Sequence, residues 1–157
     1  MKVALVSLNQ SWEDKEANRL KVRNCFQTIA FRNMDLVIFP EMTLTGFTMN
    51  VKEHAEEAEN SATIRFFTDC ACQYGVYIGF GMILKAGIKA ANHFIIVSPE
   101  GEMCADYIKI HPFSYAGEDR FYEKGKHLTS LEIQGVPIGL SICYDLRFPE
   151  IFQALSR

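Results

Sequence analysis

Long apolar runs are missing from this sequence: no stretch of its 157 residues approaches the roughly eighteen that a membrane span needs. A short apolar run, Val3 to Leu8, follows Lys2. Asn9, Gln10, Glu13 and Asp14 then interrupt it before a secretory core can form. The expected location is cytoplasmic, without a membrane partner. An excess of positive charge is missing as well, since the formal net charge is -3. No basic field exists to gather nucleic acid or anionic lipid. Paired cysteines are the third absence. Cys25, Cys70, Cys72, Cys104 and Cys143 are odd in number and scattered, as suits a reducing compartment. Cys70 and Cys72 form a lone C-x-C with no second pair and no nearby His cluster to complete a zinc site, so no metal site is expected. Repeats, low-complexity tracts and linkers are lacking too, which leaves one compact unit.

What is present is an alternating pattern of strands and helices. Lys2 to Leu8 reads as a buried strand, and Asp14 to Arg32 as a helix capped by Asp14 with Ala17, Leu20, Cys25, Ile29 and Phe31 on its apolar face. Asp35 to Phe39 is a second strand, stopped by Pro40. A helix is expected over residues 52 to 74, burying Ile64, Phe66, Phe67, Cys70, Ala71 and Tyr74. Strands follow at Val76 to Leu84 and His93 to Ser98, joined through Gly87 and Asn92, and then at Met103 to Ile108 after a tight turn. Residues 112 to 127 have no clear period and read as an irregular loop. Two further strands, Leu128 to Ile133 and Val136 to Ile142, precede a helix over Pro149 to Leu155. The fold class is α/β, and twelve Phe imply a heavily packed interior.

Three strands end on a chemically active group. Asp35 to Pro40 delivers Glu41, Met103 to Ile108 delivers Lys109, and Val136 to Ile142 delivers Cys143. In α/β sheets, ligands collect at the carboxyl ends of strands. Each residue alone has a plain alternative: Glu41 as a solvated acid, Lys109 as a surface cation, Cys143 as a small buried hydrophobe. Together they form a chemical set. A thiol is mostly protonated at neutral pH and needs a base or a cation beside it, and Glu41 and Lys109 are one of each. Lys109 and the backbone N–H of Tyr144 also suit an oxyanion formed by attack on a carbonyl.

The segments FPEMTLTGF (Phe39 to Phe47), YIKIHPF (Tyr107 to Phe113) and GLSICYDLRFPE (Gly139 to Glu150) resemble the nitrilase superfamily of carbon–nitrogen hydrolases in order, spacing and flanking residues. The resemblance implies Glu41 as general base, Lys109 as electrostatic stabiliser and Cys143 as nucleophile. It also implies a second glutamate in the loop after the lysine, for which Glu118 and Glu123 both qualify, Glu118 with the better spacing. CYDLRFPE is similar to the ω-amidase-like branch, whose members deamidate small dicarboxylic acid monoamides. The implied reaction releases ammonia through a Cys143 thioester and needs no cofactor.

Further residues stay open. Arg147 suits a substrate carboxylate, or else a salt bridge with Asp145 or Glu150. Phe47 and Phe113 line the pocket or belong to the core. His111 is a different base for Cys143, although that reading leaves Glu41 unexplained. The resemblance implies a nitrilase-like αββα sandwich. Members of the superfamily normally continue well past the nucleophile, so residues 1 to 157 are expected to be the N-terminal part of one domain, truncated after the nucleophile elbow. The missing half is then expected from a partner polypeptide, or the chain forms a homo-oligomer. The alternative to an amide hydrolase is an inactive truncated relative, or a binding or assembly subunit.

Overall fold

The computed structural model describes residues 1–28 and 33–156. Among these, β1 (Val3–Leu5), β2 (Leu36–Ile38) and β3 (Tyr77–Ala86) run parallel and adjacent. Next come β4 (Lys89–Val97) and β5 (Met103–Ile108), each antiparallel to its neighbour. A short β6 (Tyr122–Glu123) adds alongside the start of β4. Apolar runs explain these strands, and Pro40 closes the second of them, as expected. A separate hairpin of β7 (Ser130–Ile133) and β8 (Val136–Gly139) turns on Gln134 and Gly135, both at positive φ. That backbone matches the twist of a tight two-residue hairpin.

Layers follow from which faces are apolar. The helix α1 (Lys15–Thr28) begins at Asp14, whose carboxylate accepts the Ala17 N–H at 2.9 Å. Its buried stripe is Asn18, Val22 and Phe26. The expected core residue Leu20 is instead 59% exposed, because it lies off that stripe; Ile29 and Phe31 fall outside the described residues. With α3 (Ala62–Tyr74), this helix covers one face of the six-stranded sheet, and Phe39, Phe66, Phe67 and Phe80 fill the space between them. On the other face the β7–β8 hairpin packs Ile133 and Ile138 against Leu36, Ile96 and Tyr107. The outer side of β8 meets α5 (Pro149–Leu155), where Leu155 lies directly over Gly139. The order is helix, sheet, sheet, helix, the sandwich expected from the sequence. No helix among the described residues is long and apolar enough to cross a membrane.

The helix expected over residues 52 to 74 is broken. It begins as α2 (Val51–His54) and resumes only at α3, because Glu56 leaves the helix to pair with the edge of β3. Its backbone bonds Ile83 and Lys85, while its carboxylate gathers Lys15 Nζ, Ser61 Oγ and Thr63 Oγ1, each at 2.6 Å. Ser61 in turn caps α3 at the Ile64 N–H. Burial alone would raise the Glu56 carboxyl, but its partners outweigh it and hold it down to about 2. The unfolded chain titrates this group near ~4.3, so its stabilisation is complete above that pH and is lost as pH falls toward 2. Glu56→Gln is expected to cost on the order of 2 kcal/mol at neutral pH. In urea denaturation the gap between variant and native chain should close as the pH is lowered through this window.

Candidate active site

Glu41 leaves β2 in a tight turn pressed against the middle of β3. Thr43 N–H bonds Gly81 O at 2.9 Å, and Gln10 Nε2 ties down the Met42 and Thr43 carbonyls at 2.8 and 3.0 Å. The approach depends on Gly81. A Cβ there would lie 2.4 Å from Met42 N and 2.7 Å from Glu41 Cα. A glycine inside an apolar strand was the available sequence signal for such contact.

Lys109 follows β5 directly and is only 1% exposed. Its Nζ lies 2.7 Å from Glu41 Oε1 and 2.9 Å from Glu118 Oε2. The segment expected to be irregular is in fact ordered here. It forms a turn at Ser114–Ala116, α4 (Glu118–Phe121) and β6, because Glu118 is fully buried and anchors it. Besides Lys109, Glu118 takes the Phe113 N–H. Glu123 is exposed and faces Lys89 at 3.8 Å, so of the two glutamates only Glu118 reaches Lys109. Burial by itself would pull the Lys109 ammonium down, but Glu41 and Glu118 outweigh it and hold it up. Asn92 lies within β4 rather than in a connection, and its Nδ2 donates to Glu41 Oε1 at 2.7 Å and Glu118 Oε1 at 3.0 Å.

Cys143 opens a tight helical turn, Cys143–Arg147, with its φ at 48°. The expected strand to Ile142 stops at Gly139 because the Ile142 N–H turns to the Asp145 carboxylate at 3.0 Å instead of to a ladder partner. Asp145 is fully buried and also accepts Tyr107 OH at 2.7 Å and the His111 N–H at 2.9 Å. It thereby registers the cysteine turn against the end of β5, a role that its place beside Cys143 in the sequence did not reveal. His111 Nδ1 sits 2.9 Å from the same carboxylate, and its ring stacks on Phe148 at 3.6 Å. That engagement directs His111 to Asp145 rather than to the thiol. Burial pushes the Cys143 thiol up and the nearby charge of Glu41 pushes it further, against the opposing pull of Lys109. The resting group is therefore a thiol facing a carboxylate.

The remaining candidates surround this cluster. Phe47 lies over Lys109, with Nζ 5.5 Å from the ring centre. Phe113 and Tyr144 meet edge to face at 5.0 Å. With Cys143, Tyr115, Leu146 and Arg147 they line an open hollow of about 570 Å³. Arg147 is exposed and, among the described residues, forms a salt bridge with neither Asp145 nor Glu150. A second cleft, of about 290 Å³, opens between the two sheets and reaches Glu41 and Cys143 from the other side. A thiol, a carboxylate beside it and an ammonium behind form a set able to attack an electrophilic carbon.

Comparison with known proteins agrees with this layout. The omega-amidase YafV of Yersinia enterocolitica is 33% identical over 149 residues, which cover 95% of this chain and 56% of that protein. The 2-oxoglutaramate amidase of Bacillus subtilis is 29% identical over 138 residues, 87% of this chain and 53% of that one. A CN-hydrolase superfamily protein of Xanthomonas campestris, solved with an arsenic adduct in its active site, superposes with a TM-score of 0.86 at 28% identity. That match covers 94% of this chain and 55% of the other. The chain thus spans a little more than half the length of these relatives. Residues 2–157 match the carbon-nitrogen hydrolase family, and with the shared fold this establishes that the chain belongs to it.

Proposed function

We propose that the chain carries the reacting groups of a cysteine-dependent amide hydrolase acting on a small amide that also bears a carboxylate. The observation that carries the reading is that Cys143 and Glu41 line one cleft while Lys109 Nζ holds Glu41 Oε1 at 2.7 Å. Because the thiol is pushed up rather than down, it reacts by giving its proton to Glu41 as sulfur adds to the amide carbon. The oxyanion is met by Lys109 and the Tyr144 N–H. Glu41 returns the proton to nitrogen, the C–N bond breaks, and ammonia leaves a Cys143 thioester. Water then gives a proton to Glu41 and adds to the thioester; the C–S bond breaks, the acid departs and the sulfur regains its proton.

Glu118 keeps Lys109 charged and in place. Arg147 receives the substrate carboxylate across the hollow, with Phe113 and Tyr144 as walls and Phe47 shielding the ammonium. Relatives named omega-amidase and 2-oxoglutaramate amidase support this substrate class. Residues 1 to 157 on this reading are part of one hydrolase domain, and the rest of the family's domain closes the pocket.

The test is alkylation by iodoacetamide together with ammonia release from succinamate. Cys143 is expected to label ahead of the other exposed cysteines, Cys72 and Cys104, and to keep reacting near pH 6, where ordinary thiols slow about tenfold per unit. Cys143→Ala should abolish ammonia release. Equal labelling of the three, all slowing alike with falling pH, would sink the proposal.

A further inference from the structure

We infer that Asn92 is a positioning residue that aims Glu41 at the thiol and sets how readily it takes the proton. This rests on the reading of Glu41 as the base. Asn92 is 1% exposed and contacts all three charged members of the cluster from within β4. Its Nδ2 donates to Glu41 and to Glu118, and its backbone carbonyl accepts the Lys109 N–H at 2.9 Å.

The geometry at Glu41 is specific. Oε1 receives Lys109 Nζ and Asn92 Nδ2, both at 2.7 Å. With two donors already on Oε1, Oε2 is the oxygen left to take the thiol proton. The carboxylate is thereby oriented through the oxygen that does not take the proton.

The amide's own orientation carries the same message. Its Oδ1 is buried with no hydrogen-bond partner among the described residues. Turning the amide over would place that oxygen against two carboxylates, a worse arrangement than an unpaired carbonyl. The polar cost at Oδ1 is therefore imposed by the demands of Glu41 and Glu118. Such unsatisfied buried groups call for an explanation, and function supplies one here.

Charge explains why an amide, and not a second cation, occupies the position. Glu41 is faced by Lys109 from the end of β5, Glu118 from α4, Cys143 from its turn and Tyr122 from β6. Two carboxylates share one ammonium. A second ammonium would hold Glu41 so firmly ionised that it would be a poor proton acceptor, whereas a neutral donor relieves the carboxylate repulsion and leaves basicity intact.

Cys143 alkylation by iodoacetamide as a function of pH tests the inference. Native chain and Glu41→Gln come first: a native profile level to below pH 7 with a limb at acid pH, replaced in Glu41→Gln by the ordinary thiol's roughly tenfold fall per unit from alkaline pH, establishes the base. A Glu41→Gln profile that keeps the native limb at the native pH overturns that reading, and the Asn92 inference with it. Given the base, Asn92→Ala is expected to move the acid limb up by roughly half to one pH unit and to slow the plateau about tenfold or more. Asn92→Asp keeps the shape but replaces the donor by a third carboxylate, and should move the limb further the same way. An unmoved limb, or a slower plateau with the limb in place, overturns the inference by reducing Asn92 to a packing role. Should either variant fail to fold, the native chain still decides. Its Asn92 side-chain amide protons are expected to shift in NMR spectra across the pH range of the limb, and resonances that stay fixed overturn the inference.

Discussion

Lys109→Met is expected to destabilise the chain by about 3–5 kcal/mol and to remove the preferential reactivity of Cys143. Methionine has nearly the length of lysine, so packing changes little and the effect isolates the charge. Lys109 is 1% exposed, with the Glu41 and Glu118 carboxylates 2.7 and 2.9 Å away. Removing the ammonium leaves two carboxylates facing one another in a site that water reaches poorly, which is the costly way to break a buried pair. The sign of the pH dependence follows. Without the cation, at least one carboxyl binds its proton more tightly folded than unfolded, so the variant keeps stability at acid pH and loses it as the pH rises. Adding Glu118→Gln removes one of the opposed charges and should restore part of the loss. Urea denaturation of native chain, single and double variants across pH measures both effects. A double variant no more stable than Lys109→Met would show that charge opposition is not the cause.

Gly81→Ala should slow Cys143 alkylation by roughly a hundredfold and cost about 2–4 kcal/mol. The added Cβ meets Met42 N at 2.4 Å and Glu41 Cα and C at 2.7 and 2.8 Å. All three are backbone atoms, so no rotamer change relieves the clash and the turn itself must move. Gln10 and Thr43 hold that turn to the sheet, and the displacement therefore passes to the Glu41 side chain. A shift on the scale of 1 Å at a reacting group is worth about a hundredfold in rate. Gly79→Ala is the matched control two residues away. Its Cβ meets the far edge of the Phe94 ring at 2.8 Å, a side chain that can tilt, so stability should fall while alkylation stays near native. Equal loss of reactivity in both variants would show that strand distortion, and not the Glu41 turn, is responsible.

The strand and helix pattern was legible because apolar runs ending in proline, glycine or charge leave few alternatives. Leu36 to Ile38 and Met103 to Ile108 lie close to where their composition put them. Failures came where a side chain bonded to backbone outside its own element. Glu56 broke a helix whose periodicity looked continuous, and Asp145 ended a strand whose apolar run continued to Ile142. Neither event has a local signature, since the partners of Glu56 include Lys15, 41 residues earlier, and those of Asp145 include Tyr107, 38 residues earlier.

By itself the sequence determined the chemical vocabulary: a thiol, a carboxylate and an amine each placed just after an apolar strand, with three flanking motifs in family order. That much is local, because strand ends are set by residues within a few positions of one another. The tertiary structure decided the grammar. It brought Glu118 to Lys109 and left Glu123 facing Lys89, turned His111 toward Asp145, and placed Asn92 between two carboxylates. Those choices depend on which side chains share a buried volume after the sheet has closed. In that volume an unpaired charge is too costly to remain, so the partners of Lys109 are settled by burial rather than by spacing along the chain.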